Sequence, residues 1–480
     1  MSTILRVGTR LGQLTQEFAR ANFWWRDPLW DRRDPDLLEV EQSGLGYEAD
    51  ALNDLAAGSL YILRGPRRVG KSVTLKQLVR ELITQGHNPL SIVHLAVDGW
   101  TDREIRTAVQ NAALPPLPEG VHRTWLFDEI SSVSGDWAQQ IKWLRDNDSD
   151  FRGSTVVLTG SHAGALSEAT GTLAGRRGRD THLDRFLFPM GFRTFVNLMM
   201  RDNPPPAATL GLELLRTDTA KATYADLIPW IDDLVRLWEL YLLNGGYPRI
   251  VAALRTGQPL PQDFLQDLFS VISADTFNKS RLSTSTAMAL IERVWASLGT
   301  PINLSKVGAD LDVSHEVVQR HIDYLENAYL AWRCPQLAQD NWLARIRAQD
   351  KVYAVDPIIA RLAHLRHHAR ADVDITLLSE MQLGMGVRRR VLKDQPSALN
   401  DEFLFHVRTP ARKEIDFVAE AFAGVAIEGK YSESGRWRGD AATIKASSWG
   451  GILATRNVLD IRDDRVWAVP SGILAFLIDT

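Results

Sequence analysis

The chain has 480 residues, 24% of them charged, with a formal net charge of −4, a balance that excludes a strongly basic, whole-surface nucleic-acid binder but leaves room for a local basic patch. Its length allows about three domains with sizeable cores, and its one cysteine, Cys334, excludes an internal disulfide and is expected to fill a small core position. No run of roughly 18 uncharged apolar residues occurs and the start of the chain lacks a signal-type pattern, which predicts a soluble, cytoplasmic protein with no membrane partner.

Residues 1–57 form an N-terminal segment with the aromatic cluster Phe23-Trp24-Trp25 and Trp30. It is expected to pack on the core that follows, with an adenine contact as the alternative. From 58 onward the apolar pattern alternates between strand and helix periods. Strands fit at 60–64, 90–97, 123–127, 154–159 and 182–187, and helices at 71–84, 101–113, 136–146 and 162–170. That alternation predicts an α/β domain with a parallel sheet and ligands at the carboxyl ends of its strands.

Three stretches at those strand ends carry chemistry. Gly65, Pro66, Arg67, Arg68, Val69, Gly70, Lys71 and Ser72 fit G-x-x-x-x-G-K-[ST], the phosphate-binding loop of nucleoside triphosphatases. Glycines let backbone N–H groups curl around phosphates, and the helix start adds positive partial charge. Lys71 is expected to reach the β- and γ-phosphates of ATP and Ser72 to ligate Mg²⁺. Arg123-Thr-Trp-Leu-Phe-Asp128-Glu129 is an apolar strand ending in an acidic pair, which predicts that Asp128 holds the metal and Glu129 polarises the attacking water. Thr155-Val-Val-Leu-Thr-Gly-Ser161 is a further buried strand, with Thr159 or Ser161 as candidate γ-phosphate sensor or simply a strand-to-loop turn. Then Arg176, Arg177 and Arg179, set among glycines, are candidates for an arginine finger in cis or, through a homo-oligomer, in trans; a solvated loop or a nucleic-acid contact is the alternative.

On these residues 58–200 resemble the nucleotide-binding core of AAA-type ATPases. More narrowly, they are similar to a prokaryotic family that joins that core to a C-terminal domain of unknown function. Besides the phosphate loop, the resemblance rests on Leu126-Phe-Asp-Glu129, Leu158-Thr-Gly-Ser161, the stretch from Arg179 to Phe195, and Asn244-Gly-Gly-Tyr-Pro248. It implies a helical lid over 201–278, where the apolar period is helical and Asn244-Gly245-Gly246 ends a helix begun near 227. A winged-helix-like module is expected over 279–345. Its helix from His315 is predicted to turn Val317, Val318, Ile322 and Leu325 inward, to be N-capped by Ser314, and to expose His315, Gln319, Arg320 and His321 beside Glu316, Asp323 and Glu326. Whether that helix reads DNA or makes protein contacts is left open by its mixed charge.

Residues 346–480 should form a last α/β domain, with Asp356 as a helix cap. Strand alternation places Glu428 and Lys430 on one face. A three-residue turn at 422–424 would set Asp416 across from Lys430 and bring Asp416, Glu428 and Lys430 together. Two carboxylates and a lysine so placed can hold Mg²⁺ or Mn²⁺ and activate water against a phosphodiester. The arrangement resembles the PD-(D/E)XK nuclease core, with Asp416, Glu428-Gly429-Lys430 and, from an upstream helix, Glu380 as the matching positions. Ile415 stands where a Pro is usual, and Gly429 where an apolar residue is usual. The reading is therefore an ATP-hydrolysing protein coupled to a nuclease-like, restriction-endonuclease-type domain acting on DNA or RNA. The alternatives are an ATP-switched DNA-binding regulator and a scaffold, both with an inert last domain.

Overall fold

The computed structural model describes residues 16, 18–111, 114–280, 282–338, 341–366, 371–395, 402–409, 413–431 and 437–479, without the side chains of 274–280. The chain divides into two units, 1–187 and 188–480.

The first unit is built on five strands: β1 (Leu60–Arg64), β2 (Ile92–Ala96), β3 (Thr124–Asp128), β4 (Thr155–Gly160) and β5 (Asp184–Phe186). They pair in parallel in the order β2-β3-β4-β1-β5. Helices Lys71–Thr84, Asp102–Asn111, Trp137–Asn147 and Ala163–Thr172 fall between them, close to the periodicity, except that the second expected helix reached 112 and 113, outside the described residues. The apolar strands bury Ile62, Val93, Phe127 and Leu158 under these helices, as a sheet covered on both faces requires. β2 is an edge strand, and the N-terminal segment covers it. Trp24 and Trp25 both donate their indole N–H to the Ile92 carbonyl, at 3.0 and 2.8 Å, while the Asn22 amide exchanges two hydrogen bonds with the His94 backbone. The aromatic cluster thus seals an exposed ladder.

In the second unit the helix Ile231–Asn244 ends at Gly245 as the Asn-Gly-Gly stretch predicts. Asp356 takes the Ile358 N–H at 2.8 Å, the local cap expected of it, and also the distant Gly246 N–H at 2.7 Å. Tyr247 and Cys334 are core residues. Helices Thr284–Trp295, Leu304–Asp310 and His315–Asn327 lead into an antiparallel pair, β6 (Ala331–Cys334) and β7 (Lys351–Ala354). In the third helix Val318, Ile322 and Leu325 are buried as predicted. Ser314 takes the N-cap position without a capping hydrogen bond from its side chain. His321, expected on the exposed face, is buried instead, and burial pushes its imidazole down to about 4. Arg333 of β6 pairs with Asp323 at 2.6 Å and with Glu326, so two of the helix's acids are spent within the fold.

The last domain contains five strands, β8 (Phe405–Arg408), β9 (Glu414–Val418), β10 (Val425–Gly429), β11 (Gly450–Thr455) and β12 (Val466–Pro470), in the order β12-β11-β10-β9-β8. β8, β9 and β10 are antiparallel neighbours, whereas β10, β11 and β12 run parallel. The β9–β10 register differs from the expected one. Val418 faces Ala426 and Phe417 faces Ile427, so the same register sets Asp416 opposite Glu428 rather than Lys430. The cause is the connection: a short 3-10 helix, Glu420–Phe422, precedes the left-handed Ala423 and Gly424, which lengthens the turn. A slip of two residues preserves the face of every side chain, so the shared face of Asp416, Glu428 and Lys430 survives the correction.

Candidate functional site

The order of the first sheet places β4 between β1, which leads into the phosphate loop, and β3, which ends in Asp128. Gly65 leaves β1 so close to the chain after β5 that an added Cβ would lie 2.0 Å from the Leu187 carbonyl oxygen. Gly70 enters the helix Lys71–Thr84 at φ +103°, in the region that favours glycine. Between them Arg68 also has positive φ. Buried Lys71 donates to the Gly65 and Pro66 carbonyls, both at 2.9 Å, and burial lowers its ammonium to about 8 despite the opposing pull of Glu129 and Asp128. Ser72 is exposed in the first helical turn.

On the acidic side, Thr159 links both carboxylate residues. Its hydroxyl donates to Asp128 Oδ1 at 2.6 Å and accepts the Glu129 N–H at 2.9 Å. Glu129 sits at φ +57°, an uncommon conformation for glutamate that is tolerated where the surroundings over-determine it. Its Oε1 accepts from the Ser131 hydroxyl at 2.8 Å and the Ser161 hydroxyl at 2.7 Å. Thr159 and Ser161 are thus both bonded to the acidic pair. His94, which sequence reasoning passed over, lies with Nε2 3.9 Å from Asp128 Oδ2, and burial lowers its pKa. Its place two residues before the end of β2, beside the acidic strand, was the available signal.

The three arginines separate. Arg177 is buried, bonded to Asp184 at 2.7 Å and to the Leu183 carbonyl at 2.6 Å, so its guanidinium is committed to the fold. Arg176 pairs with Asp146 at 2.8 Å on the surface, and Arg179 is exposed. Arg64, at the end of β1, completes this buried network through Asp184.

In the second unit, Asp416, Glu428 and Glu380 are all buried. Lys430 lies 2.9 Å from Glu428 Oε1 as an ion pair, yet neither Glu428 oxygen accepts an aligned hydrogen bond, and burial raises this carboxyl to about 7. Lys351, not singled out in the sequence, stands among the acids. Its Nζ is 3.0 Å from Glu380 Oε1, 3.1 Å from Asp416 Oδ1 and 3.6 Å from Glu414 Oε2. Tyr353 Oη donates to the same Glu380 oxygen, and the Gly429 N–H donates to Asp416 Oδ2 at 2.9 Å. Burial, then the Asp416 charge, raises Glu380 to about 8. A lysine opening an apolar strand, with Tyr353 two residues on, was the overlooked signal.

Metal fit differs between the two sites. Among the described residues no three His, Cys, Asp or Glu side chains group as a metal-binding set. Mg²⁺ on a nucleotide needs few protein ligands, because phosphate oxygens and water fill most of its shell, and the hard oxygens of Ser72 and Asp128 suit it. At the second site the Glu380 and Asp416 oxygens already serve an ammonium. There the acids expected to hold a metal, Glu380, Asp416 and Glu428, stand beside Lys351 and Lys430.

Residues 57–196 match the family described as an AAA domain, and residues 235–370 match a domain of unknown function. No curated protein matches the chain. Among solved structures, a Walker-type ATPase of Pyrococcus abyssi is 16% identical, over 69% of this chain and 95% of its own, with a TM-score of 0.38. The ORC2 protein of Aeropyrum pernix is 14% identical, over 63% and 88%, with a TM-score of 0.32. RuvB of Thermotoga maritima is 16% identical, over 65% and 94%, with a TM-score of 0.27. The AAA match, the parallel five-stranded sheet and the loop from Gly65 to Ser72 agree: residues 57–196 are a P-loop ATPase domain of the AAA kind.

Proposed function

We propose that the chain binds and hydrolyses Mg²⁺-ATP, and that this cycle controls the C-terminal domain. The observation that carries the hydrolytic part is the Thr159 bridge, which holds Asp128 and Glu129 in fixed relation at the end of β3. In this reading the backbone N–H groups of residues 67–72 cradle the phosphates, and Lys71 exchanges its two loop carbonyls for phosphate oxygens. Bound Mg²⁺ would supply charge neutralisation on the phosphates. Ser72 and Asp128 would hold it, and Glu129 would orient and deprotonate the water. Arg179, exposed beside the committed Arg177, is the finger candidate, supplied in cis or by a second copy. The first test is binding of a fluorescent ATP analogue: the wild type should bind, and Lys71→Ala should weaken binding at least tenfold. Equal affinity would remove Lys71 from the site.

The C-terminal domain is read as a nuclease-like module that engages DNA or RNA without metal-dependent cutting. A cleaving version is favoured by the shared face of Asp416, Glu428 and Lys430. It predicts nicking of DNA or RNA in Mg²⁺ or Mn²⁺ that Glu428→Ala and Lys430→Ala abolish. Absence of nicking by the wild type supports the non-cutting reading.

A further inference from the structure

We infer that Lys351 is a resident cation of the C-terminal carboxylate cluster, its ammonium standing where a divalent metal would stand in a nuclease of the resembled kind. Three carboxylates from two elements surround it: Glu380 of the helix Ile375–Asp394, and Glu414 and Asp416 of β9. Glu414 and Asp416 are two residues apart and so share a face of the strand. Lys351 arrives from β7, in a different sheet, and its side chain is 3% exposed. The position is thus built from separate parts of the fold rather than from a surface side chain folding over.

Asp416 and Glu380 are also already engaged without a metal. Asp416 gives one oxygen to Lys351 and the other to the Gly429 N–H. Glu380 Oε1 takes both Lys351 and the Tyr353 hydroxyl. Mg²⁺ demands about six oxygens in near-octahedral geometry at roughly 2.0–2.1 Å. On these oxygens it would sit against a buried like charge about 3 Å from each, where screening by water is weak. An ammonium, by contrast, hydrogen-bonds to Glu380 and Asp416 at the 3.0 and 3.1 Å observed, within the ordinary N–H···O range. Lys351 therefore supplies the positive charge among these carboxylates and closes the position to metal, whether or not the first unit hydrolyses ATP.

The test uses the full chain without nucleotide and Mn²⁺ alone as probe, counting bound ions by electron paramagnetic resonance. Wild type and Asp416→Asn should bind equal numbers of Mn²⁺. Lys351→Met should bind one more per chain, and Lys351→Met with Asp416→Asn should lose it again. The inference is overturned if the wild type binds one ion more than Asp416→Asn, or if folded Lys351→Met binds no more than the wild type. Should Lys351→Met fail to fold, the wild type against Asp416→Asn decides alone, equal counts upholding the inference and unequal counts overturning it. Any Mn²⁺ held by Ser72 and Asp128 is common to all these proteins, so failure of the ATPase reading would not imitate either result.

Discussion

At the scale of single residues, the nucleotide site depends on groups whose partners are already in place. Thr159 is the clearest case, because one hydroxyl serves both acids. Thr159→Val keeps the shape and removes both bonds, leaving a half-buried N–H and a buried carboxylate oxygen short of a partner. Such losses cost about 1–3 kcal/mol. We expect a lower midpoint in urea unfolding and a fall in ATP turnover of at least tenfold, with nucleotide affinity little changed. Lys71 gives a pH prediction. Burial sets its ammonium at about 8, and a polyphosphate needs that ammonium charged. ATP affinity should therefore hold below pH 8 and decline as pH rises past it, with proton uptake on binding in the upper range. A titration across pH 7 to 9.5 that shows no decline would mean that Lys71 does not carry the phosphate contact. What the sequence could not display at this scale was partnership across the fold. Arg177 looked equal to Arg176 and Arg179 until Asp184, seven residues on, was seen to claim it. Lys351 lies 65 residues from Asp416, beyond any local pattern.

At the scale of elements, the strands of the first sheet and the helix Lys71–Thr84 were legible because period and motif agree there. Parallel strands covered on both faces read as apolar runs, and a phosphate loop marks the strand before it and the helix after it. The β9–β10 hairpin was legible only in part. Its alternation was right and its register was not, since residues 420–422 turn as a 3-10 helix that no single-residue signal announces. The third helix of the 284–327 group failed at His321 for a related reason: which stripe of a helix is buried depends on its neighbours, and a polar ring at the stripe's edge can fall either way. A prediction belongs to this scale too. Gly65→Ala puts a Cβ 2.0 Å from the Leu187 carbonyl oxygen, a backbone atom that cannot swing aside. The loop must shift, so ATP affinity should drop by more than tenfold and thermal unfolding should occur several degrees earlier. Wild-type values for both would show that the β1 exit is softer than its packing implies.

At the scale of the whole molecule, one chain carries two buried charged centres of different design. In the first unit, acids and a lysine are arranged around a loop whose backbone favours a polyanion, and hard oxygens suit Mg²⁺. In the second, acids and lysines are arranged around each other. This contrast is why the ATPase domain carries the proposed chemistry and the last domain the proposed response. Among the described residues no helix is long and apolar enough to cross a membrane. The central claim is that the first unit is a hydrolase, and it is tested most directly by phosphate release from Mg²⁺-ATP by the full chain and by Glu129→Gln, with ATP binding measured on both. The account predicts equal binding and a turnover lower by about 10²–10⁴-fold in Glu129→Gln, the range for loss of a positioned general base. Equal turnover by the two proteins, or no binding of ATP by the wild type, would contradict it.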